Sequence, residues 1–346
     1  MKIALDSTYS VGADLSGVGV YSREMLDGLA RAHPADWFAF CYRPHRFLRS
    51  FGERLPDNAT RFLLGERRAP RSADVFHGLN QRLPHARLRR AVTTFHDLFV
   101  LTGEYSTPDF RRRFAEQARD AAARSDRIIA VSHFTARQAI DILGVDPAKV
   151  RVVHHGVRVA CGTAAAREKI ILHVGAIQRR KNIARLVDAF EKVGSDWQLV
   201  LAGSAGYGAA EIGARIDAAR SRERIRMLGY LPAAELANWY KRAMIFAFPS
   251  LDEGFGMPVL EAMAAGTPVI ASNRAAVPEV AGDAAWLVDP LDTEELADAM
   301  VALTRDAERR AELSRRGLER AARFTWGEAV EKTWQVYREL ADGKPD

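Results

Sequence analysis

Ser250-Leu-Asp-Glu-Gly-Phe-Gly-Met-Pro-Val-Leu-Glu-Ala-Met-Ala-Ala-Gly-Thr-Pro-Val-Ile-Ala-Ser272 carries more information than any other stretch of this chain. One carboxylate, Glu253, stands just before a Gly-Phe-Gly turn. Met257-Pro258 then opens a helix, where proline suits the first turn. A second carboxylate, Glu261, is expected inside that first turn, and Pro268–Ser272 reads as a buried strand. A glycine-rich turn and a helix N-terminus offer unpaired backbone N–H groups to an anion such as phosphate. Carboxylates beside such a turn repel phosphate but accept hydrogen bonds from sugar and ribose hydroxyls. Phosphate and hydroxyl recognition together suit a nucleotide sugar.

Outward from this stretch, short apolar β-type runs alternate with helical patterns, the mark of parallel α/β sheets. Strands are expected at Lys2–Leu5, Trp37–Tyr42, Arg61–Leu64, Val75–His77, Val92–Phe95, Arg127–Val131 and Val150–His154 in the first half. In the second half they are expected at Ile170–Val174, Gln198–Ala202, Ile225–Leu228, Ile245–Phe248, Val269–Ala271 and Ala285–Val288. Gly156–Lys169 is small, Ala/Gly/Thr-rich and lacks apolar periodicity, so it reads as a linker. A length of 346 residues fits two domains, expected at residues 1–160 and 168–322. Beyond Ser314 a long helical tail is expected to run through Trp326–Leu340.

Composition is that of a globular protein, 48% hydrophobic and 27% charged. No run approaches the ~20 apolar residues of a membrane span. Met1–Asp6 reads as a first strand rather than a leader. Cys41 and Cys161 are the two cysteines and stand in no metal-like spacing, which fits a reducing cytoplasm. Charge is uneven. Residues 1–160 hold 25 Lys and Arg against 17 Asp and Glu, whereas residues 161–346 hold 25 against 27. A basic first half suggests an anionic partner: a nucleic acid, an anionic membrane or a diphosphate-linked acceptor. An arginine-rich composition without such a partner accounts for it equally well.

Glu253 and Glu261, set within E-G-F-G-x-P-x-L-E-A-M-A-x-G-x-P-V, resemble the signature of the retaining GT-B glycosyltransferases of family 4, in particular the bacterial O-antigen mannosyltransferase-like group. The resemblance spans nearly the whole chain and is densest from Gly175 to Asp289. It implies an α/β GT-B fold of two Rossmann-like domains facing across a cleft, the second binding a nucleoside-diphosphate sugar and the first an acceptor. It also implies that a C-terminal helix, 325–341, packs back onto the first domain.

Residue by residue, His173-Val-Gly175-Ala-Ile-Gln-Arg179-Arg180-Lys181-Asn182 resembles the family's G-x-x-x-P-R-K-N, with Arg179 in place of proline. Arg180 and Lys181, at an expected helix start, would neutralise the leaving diphosphate. Arg179 leaves the loop less rigid or adds a charge. Glu253 would hold donor-sugar hydroxyls, Glu261 the ribose, and the backbone of Phe255, Gly256 and Met257 the sugar and phosphate. Asp14-Leu-Ser16-Gly17-Val18-Gly19-Val20-Tyr21 matches the family's glycine-rich loop with one glycine missing; Gly17 and Gly19 would admit a phosphate or acceptor. His96, in Thr94-Phe95-His96-Asp97-Leu98, matches the cleft histidine beside the donor sugar, with Asp97 as a candidate to orient it. Gly203 and Tyr230 would flank the nucleotide base, and His154-His155-Gly156-Val157 reads as structural.

The implied activity is retaining transfer of a hexose, mannose from GDP-mannose being favoured, to a glycan, lipid-linked or small-molecule acceptor. No Asp-x-Asp motif occurs, so neither metal nor other cofactor is expected. No nucleic-acid partner is expected, because nucleic acid would explain the basic half but not the glutamates. The expected location is the cytoplasm, with peripheral attachment to the inner face of the cell membrane as an open alternative. A sugar-nucleotide 2-epimerase of the same fold, which would act without an acceptor, and a non-catalytic sugar-nucleotide-binding protein are the rival readings.

Overall fold

A computed structural model describes residues 1–158 and 166–343. Cys161 and the middle of the expected linker lie outside the described residues. The strands are β1 (Lys2–Asp6), β2 (Trp37–Tyr42), β3 (Ala59–Leu63), β4 (Val75–Gly78), β5 (Ala91–Phe95), β6 (Arg127–Ala130), β7 (Val150–Val152), β8 (Glu168–Val174), β9 (Gln198–Ala202), β10 (Ile225–Gly229), β11 (Ala243–Phe248), β12 (Val269–Ser272) and β13 (Trp286–Val288). They form two parallel sheets, ordered β3-β2-β1-β4-β5-β6-β7 and β10-β9-β8-β11-β12-β13. Each sheet reverses its winding once, between β1 and β4 and between β8 and β11. In such sheets ligands bind beyond the carboxyl ends of the strands at that reversal.

Contacts divide the chain into two compact units. One comprises Met1–Thr102, Thr107–Gly156 and the chain from Thr325 onward. The other comprises Gly103–Ser106 and Val157–Phe324. Each has its own core. Ile171, Leu199, Leu201, Ile245 and Ile270 of the second sheet are wholly buried against the helix Ile183–Phe190, whose inward face is Ile183, Leu186, Val187 and Phe190. A strand covered on both faces reads as a continuous apolar run, and Ile170–Leu172 and Ile245–Phe248 do so.

In the first unit the helix Trp326–Asp342 buries Ala329, Val330, Trp334 and Tyr337 against Ile3, Leu29 and Phe38. The helical tail comprises Ala307–Ala321, which starts ahead of Ser314, and Trp326–Asp342, where a C-terminal helix was expected at 325–341. Asp306 accepts from Arg309 N at 2.8 Å and Thr325 from Glu328 N at 3.1 Å, so each helix has its own N-cap. Among the described residues, no helix is long and apolar enough to cross a membrane.

Candidate active site

In the second unit, β8 delivers the backbone to Gly175, whose φ of +152° favours glycine. A Cβ there would lie 3.1 Å from Lys181 Cε, and a Cβ on Gly203 would lie 2.0 Å from Gly175 O. Gly203 therefore permits two loops to touch, and Ile177 N donating to Ser204 O at 2.8 Å fastens them. Arg180 and Lys181 do not open a helix. They lie in a short 3-10 turn, Arg179–Lys181, and the helix begins at Ile183. Asn182 joins the two at φ +59°, a conformation asparagine tolerates better than most side chains. Its amide donates to Pro249 O and Pro290 O at 3.1 and 2.6 Å, pinning the turn to the ends of β11 and β13. Arg179 is turned away: its guanidinium pairs with Glu211, Nε donating at 2.9 Å, and lies over the Tyr207 ring. It restrains the loop by an ion pair where proline would do so covalently.

Glu253, beyond β11, sits between the two cations. Lys181 Nζ donates to Oε1 at 2.5 Å, and Arg180 lies 2.9 Å from Oε2. Arg180 also donates to the Asp252 carbonyl. All three side chains are buried. Burial alone would raise the Glu253 carboxyl, but the Arg180 and Lys181 charges outweigh it and hold it at about 2. The Asp252 side chain is buried next to the cluster, so two carboxylates stand with the two cations. Beneath it, the His173 ring stacks on Phe248 at 5.8 Å, and Lys181 Nζ lies 4.8 Å from the Phe248 ring centre. His173 Nδ1 donates to Ala247 O at 3.0 Å, and burial lowers the ring to about 4.

The helix Met257–Ala264 is capped by Gly256 at φ +106°, with Pro258 in its first turn. Pro258 has no N–H and Val259 N donates to Gly256 O at 3.0 Å, so Met257 is the first-turn residue whose N–H could meet an anion. Glu261 is the fifth residue of this helix, one turn further in than the sequence suggested. Tyr240 donates to Glu261 Oε2 at 2.8 Å, and burial raises that carboxyl. Phe255 is buried, its ring set at 6.0 Å against Phe324. Tyr230 is exposed beyond β10.

In the first unit, Ser16 caps the helix Gly17–Ala32 and accepts from Gly19 N at 3.3 Å. Gly19 N–H is therefore engaged, and a Cβ there would meet Tyr9 O at 2.8 Å; Gly17 has open space around it. Gly19 is required by a close backbone approach inside this loop. His96 is buried beyond β5. Its Nε2 donates to Leu79 O at 2.9 Å, so that carbonyl, rather than Asp97, fixes the ring. His155, read from sequence as structural, stacks on His96 with ring centres 5.3 Å apart. Burial lowers His96 to about 4, so the ring is neutral at physiological pH.

Asn182, Tyr240, His155 and His173 were not assigned roles from sequence. Only Asn182 carried a signal, its place after Arg180-Lys181 in the resembled motif. The others make contacts across 21 to 74 positions of sequence that no local pattern reports.

Residues 15–160 match the family model described as glycosyltransferase family 4, and residues 162–320 match the one described as glycosyl transferases group 1. The chain belongs to the family 4/group 1 glycosyltransferases. This glycosyltransferase is 29% identical to the O-antigen chain mannosyltransferase B of Escherichia coli, over 98% of this chain and 100% of that protein. It is 35% identical to a D-inositol 3-phosphate glycosyltransferase of Kineococcus radiotolerans over 62% of this chain and 57% of the relative. Its backbone matches a sucrose-phosphate synthase from Thermosynechococcus elongatus with a TM-score of 0.81 at 22% identity, over 99% and 100% of the two chains. It matches a glycosyltransferase from Rickettsia africae at 0.73 and 16% identity, over 99% of both. Two Rossmann-like α/β domains of this kind constitute the GT-B fold. The glycosyltransferase uses a nucleotide-sugar donor and transfers a sugar to an acceptor.

Proposed function

We propose that this glycosyltransferase moves mannose from GDP-mannose to a glycan or lipid-linked acceptor with retention at the anomeric carbon and without a metal ion. The observation that carries the reading is the buried Arg180–Lys181–Glu253 cluster at the winding reversal of the second sheet. Its two buried cations suit a diphosphate. Arg180 and Lys181 would bind the leaving diphosphate and stabilise the charge that develops as the anomeric C–O bond breaks. Glu253 would accept hydrogen bonds from sugar hydroxyls, and Glu261, braced by Tyr240, from the ribose. The N–H groups of Gly256 and Met257 would meet phosphate or sugar oxygens. His96, neutral and with its proton on Nε2, would accept from a donor-sugar hydroxyl at Nδ1. Gly17 would line the path of the acceptor, and Tyr230 would stack on the base.

Retention is supported by the family resemblance. In front-face substitution the acceptor oxygen bonds to the anomeric carbon on the face the diphosphate leaves, and the acceptor proton passes to the departing phosphate. Mannose is supported by the full-length likeness to a mannosyltransferase. Two cations aimed at the diphosphate supply the neutralisation a divalent ion would otherwise give. A peripheral site on an anionic membrane is supported by Leu48 and Phe51, 80% and 62% exposed among Arg46, Arg49 and Arg54.

A thermal-shift panel of GDP-, UDP-, ADP- and dTDP-sugars tests the donor. A ligand at about 100 times its dissociation constant adds ~2.7 kcal/mol. GDP-mannose is expected to give the largest shift, and transfer is expected to survive EDTA. A larger shift with another nucleotide overturns the donor, and loss of activity with EDTA, restored by magnesium or manganese, overturns the metal-free mechanism.

A further inference from the structure

We propose that Tyr337, in the last helix of the chain, is a positioning residue for His96, acting through buried hydrogen bonds that fix the place and tautomer of that ring. The inference rests on the reading of His96 as a donor-sugar contact. The helix Trp326–Asp342 could be held by apolar contacts alone; Val330 packs so closely on Gly28 that a Cβ there would lie 2.4 Å from Val330 Cγ2. A phenylalanine at 337 would serve that purpose. Instead a hydroxyl is brought into a closed interior, where it costs free energy unless bonded.

The Tyr337 hydroxyl lies 2.5 Å from His77 Nδ1. His77 Nε2 lies 2.8 Å from Thr94 Oγ1, which lies 2.9 Å from the Tyr21 hydroxyl. Tyr21, His77, Thr94 and Tyr337 are all buried. The His77 ring is neutral at physiological pH, burial and then His96 lowering it to about 3. It therefore donates through one nitrogen and accepts through the other, and its tautomer couples the two bonds it makes.

Two arms run from this chain to His96. Tyr21 sets its ring edge-on to the His96 ring, with centres 4.7 Å apart and planes at 76°. Thr94, two residues before His96, shares its side of the strand end. The second arm runs through β4. His77 is followed by Gly78, in a turn so tight that a Cβ would lie 2.4 Å from Arg82 O. Next comes Leu79, whose carbonyl accepts from His96 Nε2. Holding His77 in register holds that carbonyl, and the carbonyl keeps the His96 proton on Nε2. Nδ1 is thereby left as the acceptor; its protein neighbour, His155 Nε2, is 3.4 Å away, at the outer limit of a hydrogen bond.

Tyr337→Phe keeps the ring and removes the bond, and Thr94→Val breaks the chain in the middle. The measured quantities are nucleoside-diphosphate affinity and kcat for the nucleotide sugar giving the largest thermal shift, with release of its diphosphate as the readout. Each variant is expected to lower kcat about tenfold, within the range for leaving a buried polar group without its partner. Diphosphate affinity is expected to stay within about twofold of wild type, because the diphosphate groups belong to the other unit. In a His96→Gln background, Tyr337→Phe is expected to change kcat by less than about twofold. Val330→Ala, which loosens the same helix, is expected to lower the melting temperature and leave kcat unchanged.

A wild-type kcat in Tyr337→Phe overturns the inference. So does a tenfold loss that persists without His96, or an equal loss in Val330→Ala. A wild-type kcat in His96→Gln is distinguishable from these and overturns the reading of His96 itself.

Discussion

Lys181 Nζ lies 2.5 Å from Glu253 Oε1, so a carboxylate expected to face sugar hydroxyls neutralises one of the cations expected to face phosphate. The same carboxylate meets Arg180 through its other oxygen. On the proposed reading, diphosphate entering this site would compete with Glu253 for both cations and release its carboxylate toward the sugar. Glu253→Gln takes the competing carboxylate away from two buried cations, which destabilises the ligand-free protein by roughly 3–5 kcal/mol. Nucleoside diphosphate is then expected to raise the melting temperature of Glu253→Gln by more than it raises that of wild type, while kcat falls. An equal or smaller shift would show that Glu253 does not compete with phosphate.

Removing either cation tests the other side of the pair. Arg180→Ala or Lys181→Ala is expected to lower transfer by about a hundredfold or more, the scale for losing one preorganised electrostatic donor. Each also leaves Glu253 short of a partner, so both variants are expected to melt earlier. Steady-state rates within about threefold of wild type in both would remove these residues from the site.

Acid stability follows from the buried imidazoles. Burial lowers His77 to about 3 and His96 and His173 to about 4, from 6.5. Between pH 6.5 and 4 the unfolded chain binds more protons than the folded one, so stability rises with pH across that window and is lost as pH falls through it. Each such group alone costs on the order of 3 kcal/mol by pH 4. Glu253, held at about 2 instead of 4.5, adds a second loss as pH falls from 4.5 toward 2. Melting followed from pH 7.5 to 4 is expected to show a steady decline below pH 6.5. A melting temperature unchanged between pH 7.5 and 5 contradicts this account.

The membrane reading is narrower than the arginine count suggested. Arg43 is buried, pairing with Glu66 at 2.5 Å, and Phe47 packs inward beside the first unit's core, so neither reaches a lipid surface. Leu48 and Phe51 remain outward among Arg46, Arg49 and Arg54. Basic residues near an anionic surface contribute ~1 kcal/mol each. Sedimentation with phosphatidylglycerol-containing vesicles is expected at low salt, with loss at high salt and in Leu48→Ser/Phe51→Ser. No sedimentation at low salt would favour a soluble acceptor.

Much of the fold was legible because it depends on local pattern. Apolar runs such as Ile170–Val174 and Ile245–Phe248 define strands buried on both faces, and glycine or proline punctuates them. The two glutamates and the Arg180-Lys181 pair were singled out because the motifs around them resemble those of the family. Element ends were less legible. Arg61–Leu64, expected as a strand, is found as Ala59–Leu63. Asp306 caps a helix that starts at Ala307, ahead of the Ser314 beyond which the tail was expected.

The sequence by itself determined two parallel α/β sheets, because they follow from side-chain periodicity within short windows; the candidate donor-site residues came from the family resemblance of its motifs. Tertiary structure alone decided what those residues touch. It closed Glu253 onto Lys181 and Arg180 across about 72 positions, set Tyr240 on Glu261, and brought Tyr337 to His77 across 260. Such pairings are fixed by how the strands order and how the last helix returns to the first sheet. Hydrogen bonding and Coulomb interaction fall off with distance in space, and distance along the chain does not report it.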